Sequence, residues 1–348
     1  MDRRRFLRHT LTTAGALLAL PPGAWARRRS TYGAEPPRVL KGTFEPGYLK
    51  LERTGKLARI ERALWRLYDA CRCCPRRCKK KRTMGQVGDC NCTSKLKVSS
   101  AGPHMGEERP LVGTHGSGTI FFSHCNLLCV FCQNWEIAHR GDGSFIEHTD
   151  LADMMLSLQR AGCHNINLVT PTHVVPGIVR ALRIAIRKGL RLPLVYNTGG
   201  YDSLEVIKLL DEVVDIYMPD FKFQDGALAA RYARRCKDYP RVAAAVIKEM
   251  HRQVGTLAVD RSGVALRGLI VRHLVMPHNI AGTDRFVRWV ARELSPDTFV
   301  NLMDQYRPAH LARSRPRRYP KIARRITSAE WLQAVEWAQK AGLKHWRG

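Results

Sequence analysis

Residues 116–134, GSGTIFFSHCNLLCVFCQN, carry three cysteines in close succession, Cys125, Cys129 and Cys132. Thiolates are soft ligands that suit iron–sulfur clusters or zinc. Spaced C-x3-C-x2-C, these three can hold three irons of a cubane 4Fe–4S cluster, which ordinarily takes four protein ligands. One iron is then left open, and an open metal position is where a substrate binds, as in catalytic zinc proteins. The competing assignment is a zinc knuckle completed by His124 or by a distant residue.

A second group lies upstream in CRCCPRRCKKKRTMGQVGDCNC. Cys71, Cys74, Cys78 and Cys90 form a four-thiolate set, with Cys73 and Cys92 as substitutes. Four such ligands close a structural zinc site or a second iron–sulfur cluster. Nine of the eleven cysteines fall between Cys71 and Cys132. Clustering of this kind points to metal ligands more than to disulfides.

These residues need elements to position them. Thr119-Ile120-Phe121-Phe122 is short, β-branched and aromatic, and flanked by glycines, so it reads as a buried strand that delivers the three-cysteine loop. A helix over 150–161 follows, with Thr149 as its N-cap. Further strands are expected at 165–170, 192–197, 214–220, 266–276 and 299–304. Helices are expected at 173–188, 203–212, 226–236, 240–253, 283–293 and 328–341. Strands alternating with helices predict a parallel α/β architecture, and six such units suit a partial (β/α)6 TIM-like barrel. Chemistry in such barrels gathers at the C-terminal strand ends. There the sequence places Asn167, Thr170 and His173, then Asn197-Thr198-Gly199-Gly200, Asp220 and Lys222, Arg272-His273, and Asp304-Gln305-Tyr306.

The net charge of +28 is uneven. Residues 1–100 hold 24 Lys/Arg against 7 Asp/Glu, residues 101–300 hold 23 against 20, and residues 301–348 hold 11 against 3. A near-neutral centre with basic flanks fits a catalytic core better than a nucleic-acid-binding one. Residues 1–26 read as a twin-arginine export signal. Arg3-Arg4-Arg5-Phe6-Leu7-Arg8 precedes the apolar Ala14–Leu20, and Ala24-Trp25-Ala26 supplies the cleavage site. The expected destination is then the periplasm, and otherwise the cytoplasm. No other stretch approaches the roughly 18 apolar residues of a membrane span. Proline and glycine mark 27–55 as linker. Residues 56–110 read as a helix plus a cysteine-rich metal-binding extension, and 111–348 as the barrel with its C-terminal helix.

The three-cysteine loop, with aromatic Phe131 before its last cysteine, resembles the signature of the radical S-adenosylmethionine (radical SAM) superfamily. Strand context and Phe131 favour this over the zinc knuckle. Over about 71–342 the chain resembles the branch related to pyruvate formate-lyase-activating enzyme. That likeness rests on CCPRRC, GSGTIFFSHCNLLCVFCQNWEI, NINLVTPTH, LPLVYNTGGYDS, DIYMPDFKF, KEMHRQVG, RGLIVRHLVMP and NLMDQYRP. The resemblance implies that the open iron chelates SAM and that reductive cleavage releases a 5′-deoxyadenosyl radical. It further implies that Asn197, Thr198, Asp220 and Lys222 line the SAM pocket, with Arg272 a candidate for the SAM carboxylate. An electron donor such as flavodoxin or ferredoxin, and a protein substrate carrying a glycyl radical, are the implied partners. The superfamily's Gly-Gly-Glu after the second strand is absent, and Thr170-Pro171-Thr172-His173 stands in its place. Competing functions are hydrogen abstraction from a peptide or small molecule, and an iron–sulfur electron carrier or redox sensor that makes no use of SAM.

Overall fold

Six runs of β-branched and aromatic residues become six strands: β1 Ser117–Phe122, β2 Ile166–Val169, β3 Leu194–Thr198, β4 Ile216–Pro219, β5 Ala265–Leu274 and β6 Phe299–Met303. They pair in that order, every ladder parallel. The computed structural model describes residues 37–347, so the leader reading at 1–26 lies outside the described residues. Each pair of strands is joined by helix, as parallel pairing requires. The resulting layer of strands wrapped by helices is the partial barrel expected from the alternation.

The sheet continues beyond the six. Leu96–His104 pairs antiparallel with β1, and Ser144–Ile146 pairs antiparallel with Leu96–His104. At the far edge Trp346–Arg347 adds parallel to β6. The sequence reading assigned Leu96–His104 to the cysteine-rich extension, whereas its pairing makes it part of the barrel sheet. Its composition explains the difference, because LKVSSAGPH mixes serine, glycine and proline and has no clean alternation.

Two local expectations are corrected. The helix over His148–Arg160 begins two residues earlier than expected, and its N-cap is Glu147, with Thr149 already inside. A capping box between Glu147 and Asp150 supplies the start, the Glu147 amide donating to Asp150 Oδ2 at 2.8 Å. Within the stretch read as linker, Gly47–Arg53 is a helix with Tyr48, Leu49 and Leu51 buried. Tyr48 donates to the Leu192 carbonyl at 2.7 Å, and the Gly47 amide donates to Asp215 at 3.1 Å. A Cβ at Gly47 would sit 2.5 Å from the Glu212 carbonyl oxygen, so glycine is needed for this close approach. Arg183 clamps the segment by pairing with Glu52 and Glu61.

Tyr48→Ala tests whether this segment is structural. Loss of a buried aromatic should cost about 3–5 kcal/mol in urea unfolding. A loss below about 1 kcal/mol would show that the segment is only a tether.

Candidate active site

The loop after β1 is pinned from several sides. The Ser123 amide donates to Lys97 O at 2.9 Å, His124 N to Ile137 O at 2.9 Å, and Val130 N to Tyr232 O at 2.9 Å. Asn126 donates through Nδ2 to Tyr201 O at 2.7 Å, while its own carbonyl accepts from Arg76 Nε at 2.6 Å. His124 and Leu128 adopt φ of 70° and 49°, left-handed turns within the three-cysteine loop. Phe131 packs against Phe223 and Tyr306, each with ring centroids 6.0 Å away. Burial pushes the Cys125, Cys129 and Cys132 thiols up, Cys132 to about 11, while the Lys222 ammonium acts against that shift on each. The bare thiols are therefore protonated at neutral pH, and metal loading must release their protons.

All three cysteines and the five residues Asn197, Thr198, Asp220, Lys222 and Arg272 face one cavity of about 350 Å³ at the C-terminal strand ends, while Asn167, His173, Gly200, His273, Asp304 and Tyr306 do not line it. Asp220 and Lys222 point to the same side, as i and i+2 positions of an extended chain should. Phe221 between them packs outward on Phe286 and Trp289 of the helix Thr283–Glu293, at centroid distances of 5.6 and 5.0 Å.

The five are partly occupied with one another. Lys222 Nζ donates to Asp220 Oδ2 at 2.5 Å, and Arg272 Nε donates to Asp220 Oδ1 at 2.8 Å. Arg272 Nη2 donates to Asn197 Oδ1 at 2.7 Å, and its Nη1 lies 3.8 Å from Glu108 and 3.9 Å from Glu107. Burial alone would raise the Asp220 carboxyl, but Arg272 and Lys222 hold it below its usual range. Glu107 is pushed up to about 7, first by burial and then by Glu108 beside it, against the pull of Arg272. Arg272 is thus committed on both faces of its guanidinium. Lys222 keeps two of its three N–H donors for a ligand.

Thr198 lines the cavity, but its hydroxyl donates to Asp202 at 2.6 Å. Thr172 and Tyr196 donate to the same carboxylate at 2.7 and 2.9 Å. Of Thr170-Pro171-Thr172-His173, only Thr170 reaches the cavity, with its backbone at φ 60°. His173 is buried behind it, 2.8 Å from Ser123 O through Nε2. Burial pushes His173 down to about 3, which keeps it neutral.

Sequence reasoning missed Asp202, Glu107, Glu108, Arg76 and Cys236. Arg76 also donates to Cys236 Sγ at 3.1 Å, which ties a residue of the first cysteine group to a thiol 160 positions away. Asp202 had a signal, since it follows the Gly-Gly-Tyr turn at the end of β3. The others had none, because their partners are remote in sequence. The upstream set Cys71, Cys74, Cys78 and Cys90 does not line the cavity. It is buried or half-buried elsewhere.

Three thiols at the open end of a parallel partial barrel, facing an ion-paired pocket, define a candidate metal-dependent catalytic centre. Residues 119–252 match the model of the Radical SAM superfamily. The uncharacterized protein MJ0674 of Methanocaldococcus jannaschii is 34% identical over 250 residues, a match spanning 69% of this chain and 66% of that protein. The chain therefore covers slightly under two thirds of that relative's length. Among solved structures, TYW1 with a lysine–pyruvate adduct aligns at TM-score 0.41 and 12% identity, over 64% of this chain and 73% of that one. Methylornithine synthase (PylB) aligns at TM-score 0.36 and 14% identity, over 64% and 67% respectively.

Asp220→Ala would leave Arg272 buried beside an empty position, and unfolding should report a loss of about 3–5 kcal/mol. Because the folded carboxyl is held low, its contribution is complete above the unfolded value of about 4 and disappears as pH falls through the lower folded value. The variant should accordingly show a flatter acid limb than the parent. Parallel stability–pH curves would contradict the pairing.

Proposed function

We propose that this chain is a radical SAM enzyme in which Cys125, Cys129 and Cys132 hold three irons of a 4Fe–4S cluster and the adjoining cavity receives SAM. The observation that carries the reading is that the three thiols of the matched domain and the Lys222–Asp220–Arg272 pairs border the same cavity. The donor set fits the group: three soft ligands on one loop, with room beside them for a ligand to complete the coordination. When bound, the cluster supplies the electron that cleaves the SAM sulfonium and yields a 5′-deoxyadenosyl radical. Lys222 offers its remaining N–H donors to the SAM carboxylate, and Arg272 fixes Asp220 and Asn197 in place. Arg272 acts as a positioning residue, since its donors are already engaged. Leu127, Leu128, Val169, Leu274 and Met303 line the walls and keep bulk water from a reactive radical.

The substrate we favour is a protein that receives a glycyl radical, on the strength of the sequence stretches shared with the activase-related branch. Hydrogen abstraction from a free peptide or small molecule is the second reading. An external electron donor, flavodoxin or ferredoxin in type, completes the scheme. Two arginine-rich segments bracket the cluster loop and support such docking. Tyr232 O accepts from Val130 N, and Ala312 N donates to Val130 O, while Arg231, Arg234, Arg315 and Arg317 around them are exposed. Exposed cations next to a redox centre steer an acidic donor. Export by the twin-arginine route belongs to the same proposal, because a cluster assembled in the cytoplasm must cross the membrane inside a folded protein.

Anaerobic reconstitution with SAM and a chemical reductant should yield 5′-deoxyadenosine. Cys129→Ala should lose cluster absorbance and SAM cleavage together. Lys222→Met keeps the bulk of the stem and removes the charge. It should fold, assemble the cluster, and bind SAM more weakly by about 1.5–3 kcal/mol, the scale of a charge-assisted hydrogen bond. Parent-like binding and cleavage in that variant would move the SAM pocket to other strand ends.

For the leader, replacing Arg3 and Arg4 together by Lys should leave a tagged protein in the cytoplasm with its leader uncleaved. A cytoplasmic location of the unaltered protein would end the export proposal.

A further inference from the structure

The guanidinium of Arg82 is fully buried, and among the described residues it has no carboxylate partner. Its Nε and Nη2 donate to Thr93 O at 3.1 and 2.5 Å, and Nη1 donates to His173 O at 2.7 Å. It lies over the Tyr68 ring, 4.2 Å from the centroid. Every one of these partners is neutral. A buried cation left to neutral dipoles is costly, and proteins normally place an anion beside it.

The side chains positioned to supply that anion are thiols. Nη1 of Arg82 lies 3.8 Å from Cys71 Sγ, and Cys73 and Cys90 also act on the guanidinium. The sulfurs form a string. Cys71 touches both Cys73 and Cys78, and Cys90 touches Cys92. Gly88 closes the gap between the two halves. It is buried, and a Cβ there would lie 3.4 Å from Cys78 Sγ and 3.5 Å from Cys90 Sγ. Gly88 is not among the glycines with positive φ, so its backbone does not demand glycine, and what the missing side chain leaves is room between two sulfurs. Cys74 belongs to the same buried group and is acted on by both Cys90 and Cys71.

We propose that Cys71, Cys78 and Cys90, with Cys73, Cys74 or Cys92 as fourth ligand, hold a second metal–thiolate centre for which Arg82 is the buried counter-charge. A tetrathiolate zinc or a tetrathiolate iron–sulfur cluster is deprotonated by its metal and carries net negative charge. Either sets a fixed negative charge beside Arg82. Among the described residues no three His, Cys, Asp or Glu groups converge on a single point, and this holds for Cys125, Cys129 and Cys132 as well. The centre also has a mechanical consequence. Arg82 holds the His173 carbonyl while His173 Nε2 holds Ser123 O, two residues before Cys125. The site is independent of the SAM reading, because none of its ligands borders the strand-end cavity.

The test uses the full chain with Cys125, Cys129 and Cys132 all replaced by Ala, purified and reconstituted without oxygen. Elemental and sulfide analysis should find about one equivalent of zinc or about four of iron with matching sulfide, and the two results identify the metal. Adding Cys78→Ala and Cys90→Ala should abolish it. Arg82→Met, in the same background, should lower metal retention during chelator challenge at least several-fold. Metal-free triple-variant protein with a parent-like circular dichroism spectrum would overturn the proposal. Metal that survives Cys78→Ala and Cys90→Ala would overturn the ligand set, and retention unchanged by Arg82→Met would overturn the counter-charge.

Discussion

The salt-bridged contact between Arg272 and Asp220 is the constraint on which the strand-end site depends. Arg272 rises from the middle of the barrel, and its charge has to be matched from several elements at once. Asp220 after β4, Asn197 in β3 and the Glu107-Glu108 pair below it each take part. Asn301 of β6 donates to Glu108 at 2.9 Å, which brings the last parallel strand into the same network. A buried ion pair adds little net stability compared with well-packed apolar residues, but removing one partner is severe. Its value here is registry, since a slip between β3, β4, β5 and β6 would strand a charge.

The charges along this column also balance. Lys222 and Arg272 are met by Asp220 and Glu108, while burial pushes the Glu107 carboxyl up to about 7 and so weakens the negative charge it adds. A column whose cations are already met has no spare cation for a bare anion. It accommodates an amino-acid head more readily, because that group brings both signs together. In the proposed reading, Lys222 then shares its ammonium between Asp220 and the ligand carboxylate without either partner being left unpaired. The same accounting explains why Arg272, the carboxylate binder implied by resemblance, is better understood as the support of that arrangement.

The fold was legible wherever hydrophobic pattern decides it. The six parallel strands emerge within about two residues of their expected positions because their buried faces need continuous β-branched or aromatic runs. The pieces that escaped are those with weak patterns. Leu96–His104, paired between β1 and Ser144–Ile146, mixes serine, glycine and proline. Gly47–Arg53 hides behind Pro46 and Gly47, which read as linker although proline before a first helical turn is ordinary punctuation. The site divides along a similar line. Cys125, Cys129 and Cys132 are local in sequence, and Asp220 and Lys222 follow from strand alternation. Glu108 meets Asn301 across 193 positions, and Arg272 meets Asp220 across 52. Nothing in one sequence announces a partner that far away.

The upstream cysteine segment reads as an extension, yet its contacts make it the rear wall of the three-cysteine loop. Arg76 holds the Asn126 carbonyl and the Cys236 thiol together, and Arg234, in the segment facing that loop, donates back to Asp89 O. Arg82 reaches Ser123 through His173. These contacts converge on Ser123 and Asn126, the residues on either side of His124 and Cys125. Segments this short and this basic bury little apolar surface of their own, so something other than a hydrophobic core must hold them rigid. Thiols gathered about a buried guanidinium answer that need, and they make the order of the upstream segment a condition for the order of the three-cysteine loop.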